Sequence, residues 1–274
     1  WQGLGYYSRA RNLHFTAKYI VNELGGNFPN SYSEIIKLKG IGDYTASAIA
    51  SIAFGETKAV VDGNVYRVLS RFFGIETPIN STKGIKEFKA LATELIDKRE
   101  PATFNQAIME FGAQQCKPKK PYCIICPLQS GCVAFLKNQT SGLPVKLKKI
   151  KIRHRYFNYL VIIDQHKNTI IEQRTEKGIW QNLYQFPLIE SKESIDVYEF
   201  EKEISKHKLI KNLKFQINLF NEKDIIHKLS HQHLHTKFWI IETDPITEKS
   251  ISAENLKDYP VPALISEFIN KFKF

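Results

Sequence analysis

All four cysteines of this chain fall in one short stretch, as Cys116, Cys123, Cys126 and Cys132, spaced C-x6-C-x2-C-x5-C. Bridges confined to so short a segment could not staple a secreted fold together, so a local metal site in a reducing compartment explains them better than a disulfide framework. Structural zinc usually draws on two short knuckles, and only one close pair, Cys123 and Cys126, exists here. Four thiolates in a single compact loop suit a [4Fe-4S] cluster, with zinc as the alternative.

The rest of the chain divides around this loop. At 274 residues, with 43% hydrophobic side chains and 12% aromatic ones, it can bury the cores of two ordinary domains. Leu13, Ala17, Ile20, Val21 and Leu24 recur at helical spacing before Gly25-Gly26. Further helices are expected near 33–37, 43–54, 63–72, 83–98 and 103–112, each bounded by Gly, Pro or a polar cap. Residues 137–151, with Gly142, Pro144 and a run of lysines, break the pattern and read as a basic linker. Beyond it, β-branched runs at 159–163, 169–171 and 238–241, with one charged helical stretch near 197–206, predict an α+β domain over 152–274.

Of the net charge of +11, residues 1–150 carry +9. A basic excess of that size favours a polyanionic partner, nucleic acid or an anionic membrane surface, over a face that serves only solubility. No apolar run approaches the roughly 20 residues needed to span a bilayer, and no signal segment opens the chain, so an intracellular, cytoplasmic protein is expected.

Two segments suggest chemistry. Leu38-Lys39-Gly40-Ile41-Gly42-Asp43-Tyr44 places two glycines between a short helix and an alanine-rich one. Gly40 and Gly42 would allow a tight turn whose backbone N–H groups, with the next helix's N-terminus, seat one DNA phosphate. Alone, such a turn is also an ordinary helix connection. Further on comes Val61-Asp62-Gly63-Asn64-Val65. Together the two segments resemble the signature of the helix-hairpin-helix DNA glycosylase superfamily. The resemblance implies that Asp62 is the catalytic carboxylate, stabilising positive charge on the sugar as the N-glycosidic bond breaks. Asp62 also suits a helix N-cap, and the two roles are compatible.

The cysteine spacing is similar to the cluster loop of endonuclease III and MutY. In the endonuclease III branch a lysine two residues past the second hairpin glycine attacks the sugar. Tyr44 stands there in this chain, which resembles many MutY enzymes and implies a monofunctional glycosylase, with Tyr44 and Asn64 lining the site. The opening Trp1-Gln2-Gly3-Leu4-Gly5-Tyr6-Tyr7 also looks MutY-like, implying that Tyr6 wedges into the base stack, although a packed helix-start aromatic is the plainer reading. The second domain resembles the MutT-like domain that follows the cluster in MutY, with Lys177-Gly178-Ile179-Trp180 through Phe186-Pro187 matching its first strands. It lacks the glutamate-rich Nudix box, so nucleotide hydrolysis is not expected of it. Leu229-Ser230-His231 matches the family's recognition loop, making Ser230 and His231 the readers of 8-oxoguanine. A histidine-rich strand end is the plainer reading there, since His227, His233 and His235 crowd the same stretch.

The resemblance thus implies a multidomain chain: an all-α glycosylase domain over 1–136 with the cluster loop at 116–132, then the linker, then the MutT-like domain. It implies an enzyme that removes adenine mispaired with 8-oxoguanine or guanine in double-stranded DNA, as a monomer and without membrane contact. The family's general acid, a glutamate, lies upstream of the tryptophan matched by Trp1. The chain as given is therefore expected to be an incomplete enzyme with little activity. A noncatalytic lesion-binding fragment and an endonuclease III-like glycosylase/lyase remain the alternatives.

Overall fold

The computed structural model describes every residue except 2–3, 148–151, 211–213 and 247–249. The chain forms two compact units, Ser8–Lys149 and Ile150–Phe274 with Trp1–Tyr7.

The first unit is helical. Its helices are α1 (Tyr7–Glu23), α2 (Tyr32–Ile35), α3 (Asp43–Phe54), α4 (Gly63–Phe73), α5 (Thr82–Leu95), α6 (Pro101–Gln114) and α7 (Val133–Leu136). Local chemistry sets their ends. Asp62 and Ser81 accept backbone N–H bonds at the starts of α4 and α5, Pro101 opens α6, and Gly55 and Gly74 close α3 and α4 at φ +67° and +69°. Val65 and Leu69 of α4 meet Phe88 and Ala92 of α5 in one core, joined by Ala59, Ile79 and Ile96. Burying a side chain such as Phe88 contributes roughly 1.5–3 kcal/mol. Ile35, Ala46 and Ala50 form a smaller core between α2 and α3. In α1 only Thr16 is buried, and Leu13 and Val21 of the expected apolar stripe are 61% and 64% exposed.

The second unit is built on two long parallel strands, β1 (Arg153–Asp164) and β8 (Gln232–Thr243), in register from Arg153 opposite Gln232 to Asp164 opposite Thr243. Antiparallel strands flank the pair: β6 (Phe215–Leu219) and β7 (Ile225–Lys228) lie on β8, while β2 (Asn168–Ile170) and β5 (Leu188–Ser191) lie on β1, with β9 (Ser250–Ser252) beyond β2. β3 (Glu172–Gln173) and β4 (Tyr184–Gln185) form a separate small ladder. Both faces of the sheet are covered. Leu160, Ile162, Trp239 and Ile241 pack with Phe200 and Ile204 of α8 (Val197–Ile204), whereas Phe157, Tyr159, Val161 and Phe238 pack with Phe268 of α9 (Ala263–Phe272). A strand buried on two faces is apolar at successive residues, which is why 159–163 and 238–241 read as continuous runs.

Residues 137–147 dock on the helical unit. The Leu143 side chain is 5% exposed, the Leu143 carbonyl accepts from Arg71 Nε at 3.1 Å, and Val145 O accepts from Ile79 N at 3.0 Å. Apolar Leu143 and Val145 inside the lysine-rich stretch give it something to dock. The remaining linker residues, 148–151, lie outside the described residues. Trp1–Tyr7 packs within the sheet unit, where Tyr7 lies against the core around Phe157 and Phe238. Gln2 and Gly3 of the opening motif lie outside the described residues. Among the described residues no helix is long and apolar enough to cross a membrane.

Candidate active site and cysteine cavity

The hairpin is a turn that only glycine fits. Gly40 has φ +87°, and a Cβ there would stand 2.6 Å from Asn12 Cβ of α1. Thr16 donates its hydroxyl to Lys39 O at 2.9 Å, seating α1 on the turn. Gly42 is the N-cap of α3 in extended backbone and has no side chain to accept from the helix's first N–H groups. Those groups are orphan donors, the usual seat for an anion. Asp43 does not fill that seat, because its carboxylate accepts from Tyr32 Oη at 2.6 Å and Lys89 Nζ at 2.9 Å. Burial alone would raise the Asp43 carboxyl, but Tyr32 and Lys89 outweigh it and hold it below its ordinary value. The Tyr32 phenol is in turn pushed up to about 12, mainly by its hydrogen bond to Asp43.

Buried Asn105 of α6 sets the segment before Asp62. It accepts from Val60 N at 3.0 Å and donates to Lys58 O and Ser51 Oγ, both at 2.9 Å. Asp62 then caps α4, Oδ1 accepting from Asn64 N and Val65 N at 2.8 Å each and Oδ2 from Asn64 Nδ2 at 2.9 Å. Three donors leave this carboxylate one orientation. Asn64 is held from the other side by Arg67, whose Nη2 donates to Asn64 Oδ1 at 2.8 Å and to Gly112 O at 2.6 Å, while Nε donates to Cys116 O at 2.7 Å. Gly112 permits this approach, since a Cβ there would lie 2.7 Å from Asn64 Cβ. Tyr44, Asp62 and Asn64 line one open cleft with Gln106, Met109 and Glu110 of α6. Tyr44 reaches across, its hydroxyl 3.9 Å from Met109 Sδ.

Cys116, Cys123, Cys126 and Cys132 line a single cavity walled by Val68, Phe72, Phe111 and Leu128. Burial pushes the Cys123 thiol up, and Cys116, Cys132 and Cys126 add to the rise because their sulfurs lie close enough to repel a second thiolate. Arg71 is the cation at the rim, with Nη1 3.4 Å from Cys116 Sγ and 2.8 Å from Lys117 O. Among the described residues no three cysteine, histidine or carboxylate side chains converge tightly enough for one metal ion. All four thiols face this one cavity, a donor set of four sulfurs.

In the sheet unit, Tyr6 stands in left-handed backbone at φ +48°, and its hydroxyl lies 2.9 Å from Ser230 Oγ. Ser230 and exposed His231 occupy the tight turn from β7 to β8, closed by Leu229 N donating to Gln232 O at 2.8 Å. Among the described residues the neighbouring histidines form no group that could hold a metal ion. His154 and His235 share a hydrogen bond of 2.8 Å, and the His235 ring stacks on Tyr156 at 4.7 Å.

Sequence reasoning missed Arg67, Arg71 and Asn105, all buried. The available signal was a cation recurring at i, i+4 on the apolar face of α4, where a lone surface charge has no reason to be.

A hairpin followed by a capped aspartate, beside a four-thiol cavity and joined to a two-faced mixed sheet, marks a base-excision glycosylase scaffold carrying a Nudix-type fold. In agreement, residues 1–96 match the HhH-GPD superfamily base excision DNA repair proteins and residues 158–271 match the NUDIX domain. The chain is 39% identical to an adenine DNA glycosylase of Buchnera aphidicola subsp. Baizongia pistaciae, over 94% of this chain and 69% of that protein. It is 36% identical to the adenine DNA glycosylase of the Schizaphis graminum subspecies, over 86% of this chain and 65% of the relative, and 32% identical to that of the Acyrthosiphon pisum subspecies, over 100% and 77%. The chain belongs to the adenine DNA glycosylase family of base-excision repair.

Proposed function

We propose that the chain serves the hydrolytic removal of adenine mispaired with 8-oxoguanine or guanine in duplex DNA, without a lyase step. The observation that carries this reading is the Asp62 carboxylate, fixed by three donors on a cleft whose opposite lip is Tyr44 instead of a lysine. A flipped adenosine in that cleft would bring its sugar to Asp62, whose charge opposes the cation that forms as the bond to adenine breaks. Asn64 keeps the carboxylate from turning. Water completes the reaction because no amine stands at position 44 to form a Schiff base.

The hairpin at Gly40 and Gly42 would take a phosphate on the free N–H groups of α3, and Tyr6 would enter the base stack. Ser230 and His231 would hydrogen-bond the edge that distinguishes 8-oxoguanine from guanine. Cys116, Cys123, Cys126 and Cys132 would hold a [4Fe-4S] cluster, which supplies a rigid structural centre and no redox step. Single-turnover adenine release from an 8-oxoguanine:adenine duplex tests the reading, on this chain and on its longest genomic reading frame. Release abolished by Asp62→Asn with duplex affinity nearly intact is expected. Borohydride trapping of a covalent protein–DNA adduct would overturn it in favour of a lyase, and tight binding without release by either form would make it a lesion-binding protein.

A further inference from the structure

Lys89 of α5 commits its ammonium protons to three separate acceptors of the helical unit. Nζ donates to Asp43 Oδ2 at 2.9 Å, to Ser47 Oγ at 3.0 Å and to Ala59 O at 2.7 Å. Asp43 and Ser47 lie in the first two turns of α3, whereas Ala59 belongs to the segment that leads to Asp62. Asn105 of α6 holds the same segment by accepting from Val60 N and donating to Lys58 O. Ala59 and Val60 are buried, so a carbonyl released there by loss of Lys89 would have no water to turn to.

A lysine–aspartate pair that is partly open to solvent contributes little by charge alone. What sets Lys89 apart is where its acceptors lead. Asp43 and Val61 line a groove with Lys89 and Tyr66, and the next residue after each, Tyr44 and Asp62, lines the cleft. The groove and the cleft share no lining residue. Lys89 therefore ties together the two backbones that carry the cleft's opposing lips, and does so without entering the cleft. We propose that Lys89 is a positioning residue for adenine release, holding Tyr44 and Asp62 at a set separation from outside the site. Asp43 is its anchor on α3, braced in turn by Tyr32 Oη at 2.6 Å. This rests on Asp62 being the catalytic carboxylate.

The test removes the pair together, as Asp43→Asn/Lys89→Met, so that the net charge beside the hairpin is kept. It uses the protein of the longest genomic reading frame. Single-turnover adenine release at saturating protein should slow about tenfold or more, since a displacement of about 1 Å at a reacting group can cost about a hundredfold. Affinity for a duplex carrying a non-hydrolysable adenosine analogue should stay within about twofold, the split expected when only the chemical step is touched. Ile96→Val, a core change beside α5 that meets none of the Lys89 acceptors, should lower stability by roughly 0.5–1.5 kcal/mol and leave the rate at that of the wild type. Hydrogen exchange needs no substrate, so it decides the link whatever the rate of release. Peptides covering 43–54 and 58–66 should both exchange faster in the pair variant. Unchanged exchange across 58–66 would overturn the proposal, as would a release rate within about twofold of wild type. Rate and affinity falling together would also overturn it, because that is the mark of a general loss of structure. Asp62→Asn protein that still releases adenine would strike the catalytic reading; a normal pair variant beside an inert Asp62→Asn strikes Lys89 alone.

Discussion

Replacing Arg67 should unfold part of what holds Asp62 in place. Arg67 is 7% exposed, and its guanidinium donates to Cys116 O, Asn64 Oδ1, Gly112 O and, at 3.3 Å, Gly63 O. Gly112 lies in the last turn of α6, where carbonyls have no helical partner, so Arg67 is the cap for that end. In Arg67→Met four donors disappear. At about 1–3 kcal/mol for each buried acceptor left unpaired, and with Asn64 able to turn to water, the loss should be about 3–5 kcal/mol. Arg67→Lys keeps the charge but cannot span four acceptors from one ammonium, so it should recover only about half. Urea unfolding of the cluster-loaded protein measures this as a lower midpoint at unchanged slope. The same variants should slow single-turnover excision, because Asn64 loses the partner that aims its amide at Asp62. An Arg67→Met protein within about 1 kcal/mol of wild type, with unchanged excision, would refute the network.

Gly112→Ala should lower excision by about tenfold or more, since its methyl group would displace Asn64; wild-type excision with full stability would show that Asn64 gives way freely. Asp164, 4% exposed, accepts from His166 N, Asn168 N, Asn168 Nδ2 and Ile246 N. Burial would raise its carboxyl, but those donors outweigh burial and hold it below its ordinary value. A carboxyl depressed by folding stabilises above its unfolded value and loses that contribution as pH falls through the folded one. Asp164→Asn should therefore cost about 1–3 kcal/mol near neutrality and progressively less on acidification, read from denaturation midpoints across pH; a cost independent of pH would refute the assignment. Ser230→Ala/His231→Ala should reduce the preference for 8-oxoguanine over guanine opposite adenine while leaving the guanine:adenine rate nearly unchanged. An equal loss on both substrates would place those residues outside lesion reading.

Much of this protein was legible without coordinates. Helix starts at Asp62, Ser81 and Pro101 and stops at Gly55 and Gly74 are local chemistry, so α3, α4 and α6 were expected within a few residues of where they lie. The cysteine spacing and the Gly40–Gly42 turn are likewise set by neighbours in the chain. Short edge strands such as β6, β7 and β9 were not legible, because three to five residues paired on one side carry too little periodicity to separate from loop. Nor was α9, whose apolar residues acquire meaning only against Phe238 and Phe157 far away in sequence.

The same division runs through the site. Sequence alone determined that Asp62 begins a helix and that four thiols share a loop, since both follow from contacts a few residues long. Only the tertiary structure decided that Tyr44, Asp62 and Asn64 share a cleft with α6, that buried Arg67 joins Asn64 to the carbonyl of Cys116, and that residues 137–147 dock on the helical unit. A buried cation is stable only where acceptors from separate elements converge on it, and that convergence exists nowhere along the chain until it has folded.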